Sequence, residues 1–462
     1  MRRAGPRSPI HSVPNRTKRA TAFDVTAGVV MALYLLVGRW TPTRLVDPDA
    51  GGDALQPRYL VAAMLVLLTL LCRAVDRPGA DRKVRTRGVV TGLSVTLFLY
   101  LIVSASWAEL GQFRFGRMID MGIVLVGTAC LHQLLNAENV DLMVDWFWRA
   151  LSLCAASLAA LAAVPGLASG QRMAVLGGGA NSFGKFMGLL FIGAFYLLGI
   201  TRRSWYWGVA MAVAPVMVIL SGSRGATLGT ITGIIACLLL RPFRLREAAI
   251  IVCLGVAMIV LLRNTELADR AIWMYEERIR TFGTQTTDMA GRAPLFTAAI
   301  DLGREHLFLG AGLSSFSAVM GEDTYPHNVV LEVFSEAGLI GLLLLASAII
   351  LGACRAVTNR DERGWAAVAA LALTFTASQF SGDLYDSRGV FAFLLIALAS
   401  RRAGGGRANI PGDAQPALYR RVPCIPLLQN QELTARHRTL RFPGDAVNVK
   451  APDRVEIPEY CE

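Results

Sequence analysis

The sequence predicts an all-α membrane protein that crosses the bilayer about twelve times. Only 17% of its 462 residues are charged and 54% are hydrophobic, whereas about a quarter of a soluble chain is charged. The mean hydropathy is +0.46. The apolar residues gather in runs of roughly 17–25, the length of helix that crosses about 30 Å of hydrocarbon.

The apolar runs divide the chain into five predicted segments. A basic segment, 1–21, precedes nine transmembrane helices within 22–263. A large external loop, 264–327, is followed by three more helices within 328–400 and by a tail, 401–462, that lacks helical periodicity and is expected to be disordered. The twelve predicted spans lie near 22–39, 58–74, 89–107, 117–134, 147–165, 182–200, 204–220, 225–240, 247–263, 328–353, 366–380 and 387–400.

Basic residues mark one side of the predicted membrane domain. The net charge of +12 comes from clusters of Arg and Lys before the first span and after the second, sixth, eighth, tenth and twelfth spans. Such clusters are typical of cytoplasmic loops, so both termini are predicted to be cytoplasmic. Because topology explains the charge, the bilayer is the expected partner and nucleic acid is not.

Two groups of polar residues lie on the predicted external side of the first half of the chain. Asp47 and Asp49 could hold a divalent metal near a phosphate, but a solvated turn rich in Pro, Gly and Asp is favoured. Arg117 and Asp120 lie three residues apart at the start of a span, and we expect them to pair with each other.

Asn181 and Lys185 follow a glycine-rich loop, 166–181. Asn181 is expected to cap the next helix, because its side chain can accept hydrogen bonds from free backbone amides. Lys185 lies one turn into the span, where a charge is costly and either reaches outward or faces a wet cavity. We favour the cavity.

The sequence SGSRG at 221–225 predicts a tight external turn between two spans. Arg224 would lie at the membrane boundary, and its small neighbours, Ser223 and Gly225, would let a ligand approach closely. A lone arginine at a boundary can also simply extend its charge into the headgroup region. The turn alone leaves both interpretations open.

The external loop gathers ionisable residues and leads directly into a membrane helix. Residues 266–280 have the periodicity of an amphipathic helix and are expected to lie on the outer leaflet. Arg292 opens the second half of the loop, which continues through Arg304 and a Gly-Ala-Gly turn at 310–312. The next span is expected to begin at about Pro326, because proline suits the first turn of a helix.

His327 lies at the start of that span, and residues with carboxylate side chains follow it along the helix. An imidazole titrates near neutrality and can take a proton from a hydroxyl, although a histidine bonded to a loop carbonyl would give the same pattern. Cleavage of a sugar–pyrophosphate bond needs such a base and also fixed positive charge for the leaving group. Two or three arginines could supply that charge without a metal, since guanidinium groups bind phosphate oxygens bidentately.

Four motifs resemble the O-antigen ligase and polysaccharide polymerase family of bacterial inner-membrane glycosyltransferases. The resemblance covers spans seven to ten and the external loop, and Phe296 departs from it, because tryptophan is common there. The motifs are SGSRG at 221–225, GR at 291–292, the GAGxxxF turn at 310–316 and HNVVLEVFSEAGLIG at 327–341.

The resemblance implies a GT-C-like fold without cofactor or metal in the bacterial cytoplasmic membrane. Such enzymes move a glycan from an undecaprenyl-pyrophosphate carrier to a hydroxyl of a lipid, glycan or protein acceptor at the outer face. His327 would act as the base or orient the acceptor, and Arg224 and Arg292 would contact the pyrophosphate. The remaining expected substrate-binding residues are Asn181, Lys185, Ser223, Arg304, Asn328 and Glu336, of which the last two would also support the helix start and its packing.

Two other functions remain as alternatives at this point. A transporter or flippase of lipid-linked glycans would predict repeated halves with broken helices near the middle of the membrane, and the sequence contains no such repeat. A polymerase of the cell-wall elongation type is distinguished by the His-Asn motif at 327–328.

Overall fold

The computed structural model describes the polypeptide at 16–38, 56–75, 82–108, 114–137, 139–169, 179–200, 205–241, 287–321, 324–358 and 364–399. These residues form helices joined by turns, with no strand among them. The helices are α1 (Arg16–Leu36), α2 (Pro57–Val75), α3 (Arg82–Ser104), α4 (Arg114–Leu134), α5 (Val140–Ser169), α6 (Ala180–Ile200), α7 (Trp205–Leu220), α8 (Arg224–Leu240), α9 (Thr287–Glu305), α10 (Ser315–Met320), α11 (Val329–Thr358), α12 (Gly364–Ser378) and α13 (Arg388–Ala399).

Six of the helices contain segments long and apolar enough to cross a membrane, and α1, α7, α8, α12 and α13 contain shorter apolar segments. The fold is therefore that of a polytopic helical membrane protein. The predicted span at 247–263, the predicted amphipathic helix at 266–280, Asp47 and Asp49 lie outside the described residues. The count of twelve spans and the GT-C-like architecture stay predictions.

Small residues bring neighbouring helices into close contact, as is usual between membrane helices. Helix α8 packs along α12. A Cβ atom added to Gly229 of α8 would lie only 2.6 Å from the carbonyl oxygen of Leu373 in α12. One turn further, the hydroxyls of Thr232 and Thr376 are 3.1 Å apart. This contact fixes the first turn of α8 beside the last turn of α12.

Helix α11 begins with a side-chain cap and breaks once. The Asn328 side-chain oxygen accepts hydrogen bonds from the backbone amides of Val330 and Leu331, both at 3.0 Å, so it caps the helix. The expectation that Pro326 occupies the first helical turn is wrong, because the chain is not yet helical there. Ten residues into the helix, Gly338 has φ 61° and ψ −157°, a conformation open essentially to glycine alone.

The break at Gly338 holds the Gly-Ala-Gly turn against α11. A Cβ atom on Gly338 would lie 2.6 Å from the backbone nitrogen of Gly310, and one on Gly310 would lie 2.4 Å from the backbone nitrogen of Ala337. Only glycine permits this approach of two backbones. Four backbone hydrogen bonds close the contact, from Ala311 N to Ser335 O, Gly312 N to Glu336 O, Leu339 N to Leu307 O and Ile340 N to Phe308 O.

Candidate active site

Polar residues from several helices meet at one end of the bundle, around the connection between α12 and α13 (residues 379–387). The first turn of α8 approaches this connection, because a Cβ atom on Gly225 would lie 2.8 Å from Phe380 Cβ. Helix α11 approaches it as well, since the Asn328 side-chain amide donates to the carbonyl oxygen of Gln379 at 3.2 Å. The helices that carry Arg224 and His327 therefore border one short segment of the chain.

His327 is held in an unusual conformation at the beginning of α11. Its φ of 57° is in the left-handed region, which costs a residue with a side chain about 1–2 kcal/mol. The ring is half-buried, 4.3 Å from the Tyr325 ring between centroids. The buried Nδ1 atom has no hydrogen-bond partner among the described residues. A neutral imidazole has one nitrogen that can accept a proton.

Electrostatics keep the His327 imidazole neutral. Burial lowers its pKa below the ordinary value of 6.5, the positive charge of Arg292 lowers this pKa further, and the negative charge of Asp383 raises it. The net shift is downward. A neutral ring can act as a base, whereas a protonated ring cannot.

Arg292 reaches His327 because α9 packs on α11. The two helices approach closely, since a Cβ atom on Gly303 would lie 2.5 Å from the Phe334 ring. A small apolar core joins α9 to the Gly-Ala-Gly turn and α10, through Ala299, Leu302, Ala311 and Phe316. The half-buried Arg292 guanidinium acts electrostatically on His327, so the structure brings these two predicted catalytic residues together.

Arg224 occupies the first position of α8. The buried Ser223 caps this helix, its side-chain oxygen accepting a hydrogen bond from Ala226 N at 3.2 Å. Arg224 itself is half-buried. The free amides of a helix N-terminus and a nearby guanidinium both favour an anion. This arrangement can bind a phosphate group at the place where the sequence predicts one.

Lys185 and Asn181 lie in the first turns of α6, beside the same end of α8. A Cβ atom on Gly184 would lie 2.6 Å from Ser221 Oγ. Lys185 is buried and interacts electrostatically with Asp383 and Asp386. It therefore faces the protein interior, and the wet cavity expected around it stays a prediction. Helix α6 already begins at Ala180, so the prediction that Asn181 caps this helix is wrong; Asn181 is a half-buried residue within its first turn.

Of the nine predicted site residues, Arg304 alone is exposed. Its side chain is 73% accessible and lies 3.7 Å from Asp301, one turn earlier in α9.

Glu336, in contrast to Arg304, lies inside the protein. It is buried, and its carboxylate accepts a hydrogen bond from the backbone amide of Ser314. Glu336 thus ties α11 to the segment that follows the Gly-Ala-Gly turn.

A buried ion-pair group lies beneath His327. Arg117 of α4 donates hydrogen bonds to the carboxylates of Glu332 in α11 and of Asp383 in the connection between α12 and α13. The predicted pairing of Arg117 with Asp120 is wrong, because Asp120 instead pairs with Arg58 of α2 at 2.5 Å. Both charges find their partners in other parts of the chain, and burial strengthens the attraction within each pair.

Sequence reasoning missed Asp383, which acts on His327 and holds Arg117. The available signal was the polar run QFSGDLYDSR at 379–388, which separates two apolar helices on the same predicted side of the membrane as His327. Among the described residues, no group of three or more His, Cys, Asp or Glu side chains has the arrangement of a metal site.

The fold and the site define a class, that of polytopic membrane proteins with a buried ionic site at one end of a helical bundle. Residues 209–346 match the family model described as O-antigen ligase. This segment contains Arg224, Arg292 and His327. The match confirms the resemblance and supports assignment of the chain to the O-antigen ligase and polysaccharide polymerase family. No curated protein matches the chain. At a coarse level, the match supports an enzyme of the ligase or polymerase type.

Proposed function

We propose that the protein is a metal-independent glycosyltransferase. It transfers a glycan from an undecaprenyl-pyrophosphate carrier to an acceptor hydroxyl at the outer face of the bacterial cytoplasmic membrane. The observation that carries the proposal is that the half-buried His327, at the entrance to α11, lies within the electrostatic influence of the Arg292 cation. A base and a fixed positive charge are what transfer from a sugar pyrophosphate requires.

The proposed reaction begins at His327. The imidazole takes the proton of the acceptor hydroxyl while the hydroxyl oxygen forms a bond to the anomeric carbon of the donor sugar. The bond between this carbon and the pyrophosphate oxygen breaks, and the carrier pyrophosphate leaves with the electron pair. Attack opposite the leaving group inverts the configuration at the anomeric carbon. The proton then passes from His327 to solvent.

Arg224 and Arg292 have the role of binding the pyrophosphate in this reaction. Their charge is present before the bond breaks, and it stabilises the negative charge that builds up on the leaving oxygen. Ser223, Asn181 and Lys185 line the same end of α6 and α8 and are proposed to contribute to substrate binding. Asn328 and Glu336 hold α11 so that His327 keeps its position.

Replacement of His327 by alanine tests the proposal most directly. Loss of a general base slows a reaction by about 10²–10⁴-fold, and we expect H327A and R292A each to lose glycan transfer while reaching the membrane in normal amounts. Transfer is measured with purified protein and a polyprenyl-pyrophosphate-linked glycan, with and without a chelator. Mass spectrometry of surface glycans in a deletion strain complemented with each variant provides the cellular readout.

Arg355 provides the matched control. It is an exposed arginine in the last turn of α11, the helix that begins beside His327. R355A should transfer glycan at the wild-type rate. Wild-type transfer by both H327A and R292A would refute the proposed mechanism, and loss of wild-type transfer on chelation would refute metal independence alone.

A further inference from the structure

Three consecutive large apolar residues lie exposed in the turn that follows α9. The side chains of Leu307, Phe308 and Leu309 are 40%, 67% and 54% accessible. An isolated exposed apolar residue needs no explanation, but three in succession at the end of a polar helix do. We call residues 307–309 the apolar turn.

The backbone of the apolar turn is paired although its side chains are exposed. The carbonyl oxygens of Leu307 and Phe308 accept hydrogen bonds from α11. Leu309 O accepts one from the Tyr100 hydroxyl at 2.8 Å, and the next carbonyl, of Gly310, accepts one from Trp107 Nε1 at 3.3 Å. A non-helical segment can lie in an apolar medium only if its backbone polar groups find partners within the protein. The apolar turn meets this condition at its carbonyl groups.

The depth of the apolar turn follows from α11. The exposed large apolar side chains of this helix all come after the break at Gly338, namely Ile340, Leu343, Ile350 and Leu351. Residues 339–358 number 20, which at 1.5 Å per residue gives about 30 Å, the thickness of the hydrocarbon layer. The part of α11 after the break is therefore long enough to cross the hydrocarbon by itself, without the part that carries Glu332 and Glu336. The apolar turn is bonded to Leu339 and Ile340 and lies at the boundary itself.

Helix α3 gives the same depth independently. Its apolar segment, which is long enough to cross a membrane, ends at Ser104, and Val103 is exposed there. Tyr100, which bonds the apolar turn, and Trp107, which bonds the adjoining Gly310, flank this end. Tyrosine and tryptophan are enriched where a membrane meets water. The exposed faces of α3 and α11 on either side make the apolar turn continuous with the lipid-facing surface.

We propose that the apolar turn inserts into the leaflet on the site's side of the membrane and anchors α9 there. Helix α9 runs beside the first part of α11, from Arg292 near His327 to Gly303 near Phe334 and on to the apolar turn. The anchor thus fixes the height of Arg292 above the membrane surface. The occupant of this surface is membrane lipid, and the proposal holds whichever reaction the site performs.

Site-specific photocrosslinking tests the insertion. The photoreactive residue p-benzoylphenylalanine is placed at Phe308 in one variant and at Thr297 in another, and both proteins are irradiated in nanodiscs of phosphatidylethanolamine and phosphatidylglycerol. Thr297 is the control, because it is exposed on α9 between the level of His327 and the apolar turn. Mass spectrometry should detect several-fold more peptide–lipid adduct at position 308 than at position 297.

Three outcomes would overturn the proposal. These are no lipid adduct at position 308, equal adducts at both positions, and crosslinking at position 308 to a second copy of the chain in place of lipid. A second measurement guards against a misfolded variant. The added tryptophan of F308W should be quenched by lipids brominated near the glycerol backbone, and that of T297W should not be; equal quenching would contradict insertion.

Discussion

Arg117 at the site and Arg241 at the opposite end of α8 are held in different ways. At the site, Arg117 lies between the carboxylates of Glu332 and Asp383. At the opposite end of α8, the guanidinium carbon of Arg241 lies 4.8 Å from the centre of the Phe195 ring and 5.3 Å from that of Trp365. Ring faces attract a cation without adding a charge of their own. The aromatic end is therefore built for stability, whereas the ionic end keeps several charges together at a cost in desolvation.

The same difference appears along α8 alone. Arg241 follows the last turn of this helix, where the helix dipole favours a cation. Arg224 occupies its first position, where the dipole disfavours one. The dipole therefore stabilises Arg241 and not Arg224, and this separates the two arginines more clearly than their surroundings do.

The largest effect is expected from removal of Arg117. R117A leaves Glu332 and Asp383 as buried charges without their cation, and breaking a buried pair costs about 3–5 kcal/mol. We expect a corresponding fall in the free energy of unfolding. The triple variant R117M/E332Q/D383N should recover much of this loss, because it removes the two carboxylates together with their cation, while Asp386 stays near Lys185. Thermal unfolding of the purified proteins in nanodiscs measures both.

The outcome of the Arg117 experiment bears on the comparison directly. If R117A and the triple variant are equally stable, the carboxylates are not held as charges by Arg117, and the ionic end is not the costly part of the bundle. The triple variant should be inactive even when it is stable, because it lacks the charge of Asp383 beside His327. A stable but inactive triple variant would show that the charges at this end of the molecule are needed for glycan transfer and not for stability.

Replacement of Arg224 should give the next largest effect, and it should change the rate of glycan transfer without lowering stability. Removal of one charge-stabilising donor costs about 2.7–4 kcal/mol in the transition state, or 10²–10³ in rate. R224A should therefore lose transfer by about this factor. Its free energy of unfolding should be unchanged or slightly higher, because the repulsion between the cation and the helix N-terminus is gone. A large loss of stability in R224A would contradict the proposed division of roles.

Arg241 should show the reverse pattern. Loss of its contacts with Phe195 and Trp365 and with the helix C-terminus should lower the free energy of unfolding by about 1–2 kcal/mol in R241Q. The rate of transfer by the folded protein should stay at the wild-type value. R241K keeps the charge and provides the control, with a smaller loss of stability. If R241Q lost glycan transfer while its stability stayed unchanged, Arg241 would serve the reaction as Arg224 is proposed to do, and the difference between the two ends would be refuted.

The sequence was sufficient for the helices and for the position of the ionisable residues along them. Apolar runs predict the membrane helices because burial in lipid depends on composition and length, both of which are local. Helix α11 is capped by Asn328, two residues after the start that was predicted at Pro326. The difference arises because proline and asparagine are both common where a helix begins. The break at Gly338 was not predicted, because its cause is the turn at Gly310, 28 residues earlier in the chain.

The partners of the buried charges could not be predicted for a similar reason. Arg117 and Asp120 are close enough in sequence to pair on one helix, and a local rule favours that pairing. In the structure each prefers a partner from another helix, and this choice depends on how α2, α4 and α11 pack. The proximity of Arg292 to His327 was expected from the family resemblance. The role of Asp383 beside them depends on the long-range contact between α4 and the connection of α12 with α13.

The smallest expected effect is a shift in the titration of His327. Arg292 lowers its pKa and Asp383 raises it. R292Q should therefore move the pKa upward, so that more of the ring is protonated at mildly acidic pH, and D383N should move it further downward. The rate at which diethylpyrocarbonate modifies His327 follows the neutral imidazole, and peptide mass spectrometry resolves this residue from the four other histidines.

Opposite shifts in R292Q and D383N would place the imidazole between a cation and an anion, an arrangement that the aromatic end of the bundle does not provide. R355Q is the control and should titrate like the wild type. Since only the neutral ring can accept the acceptor's proton, the residual transfer of R292Q should also decline at a higher pH than that of the wild type as the solution is acidified. Identical titration of His327 in all four proteins would mean that Arg292 and Asp383 do not act on it.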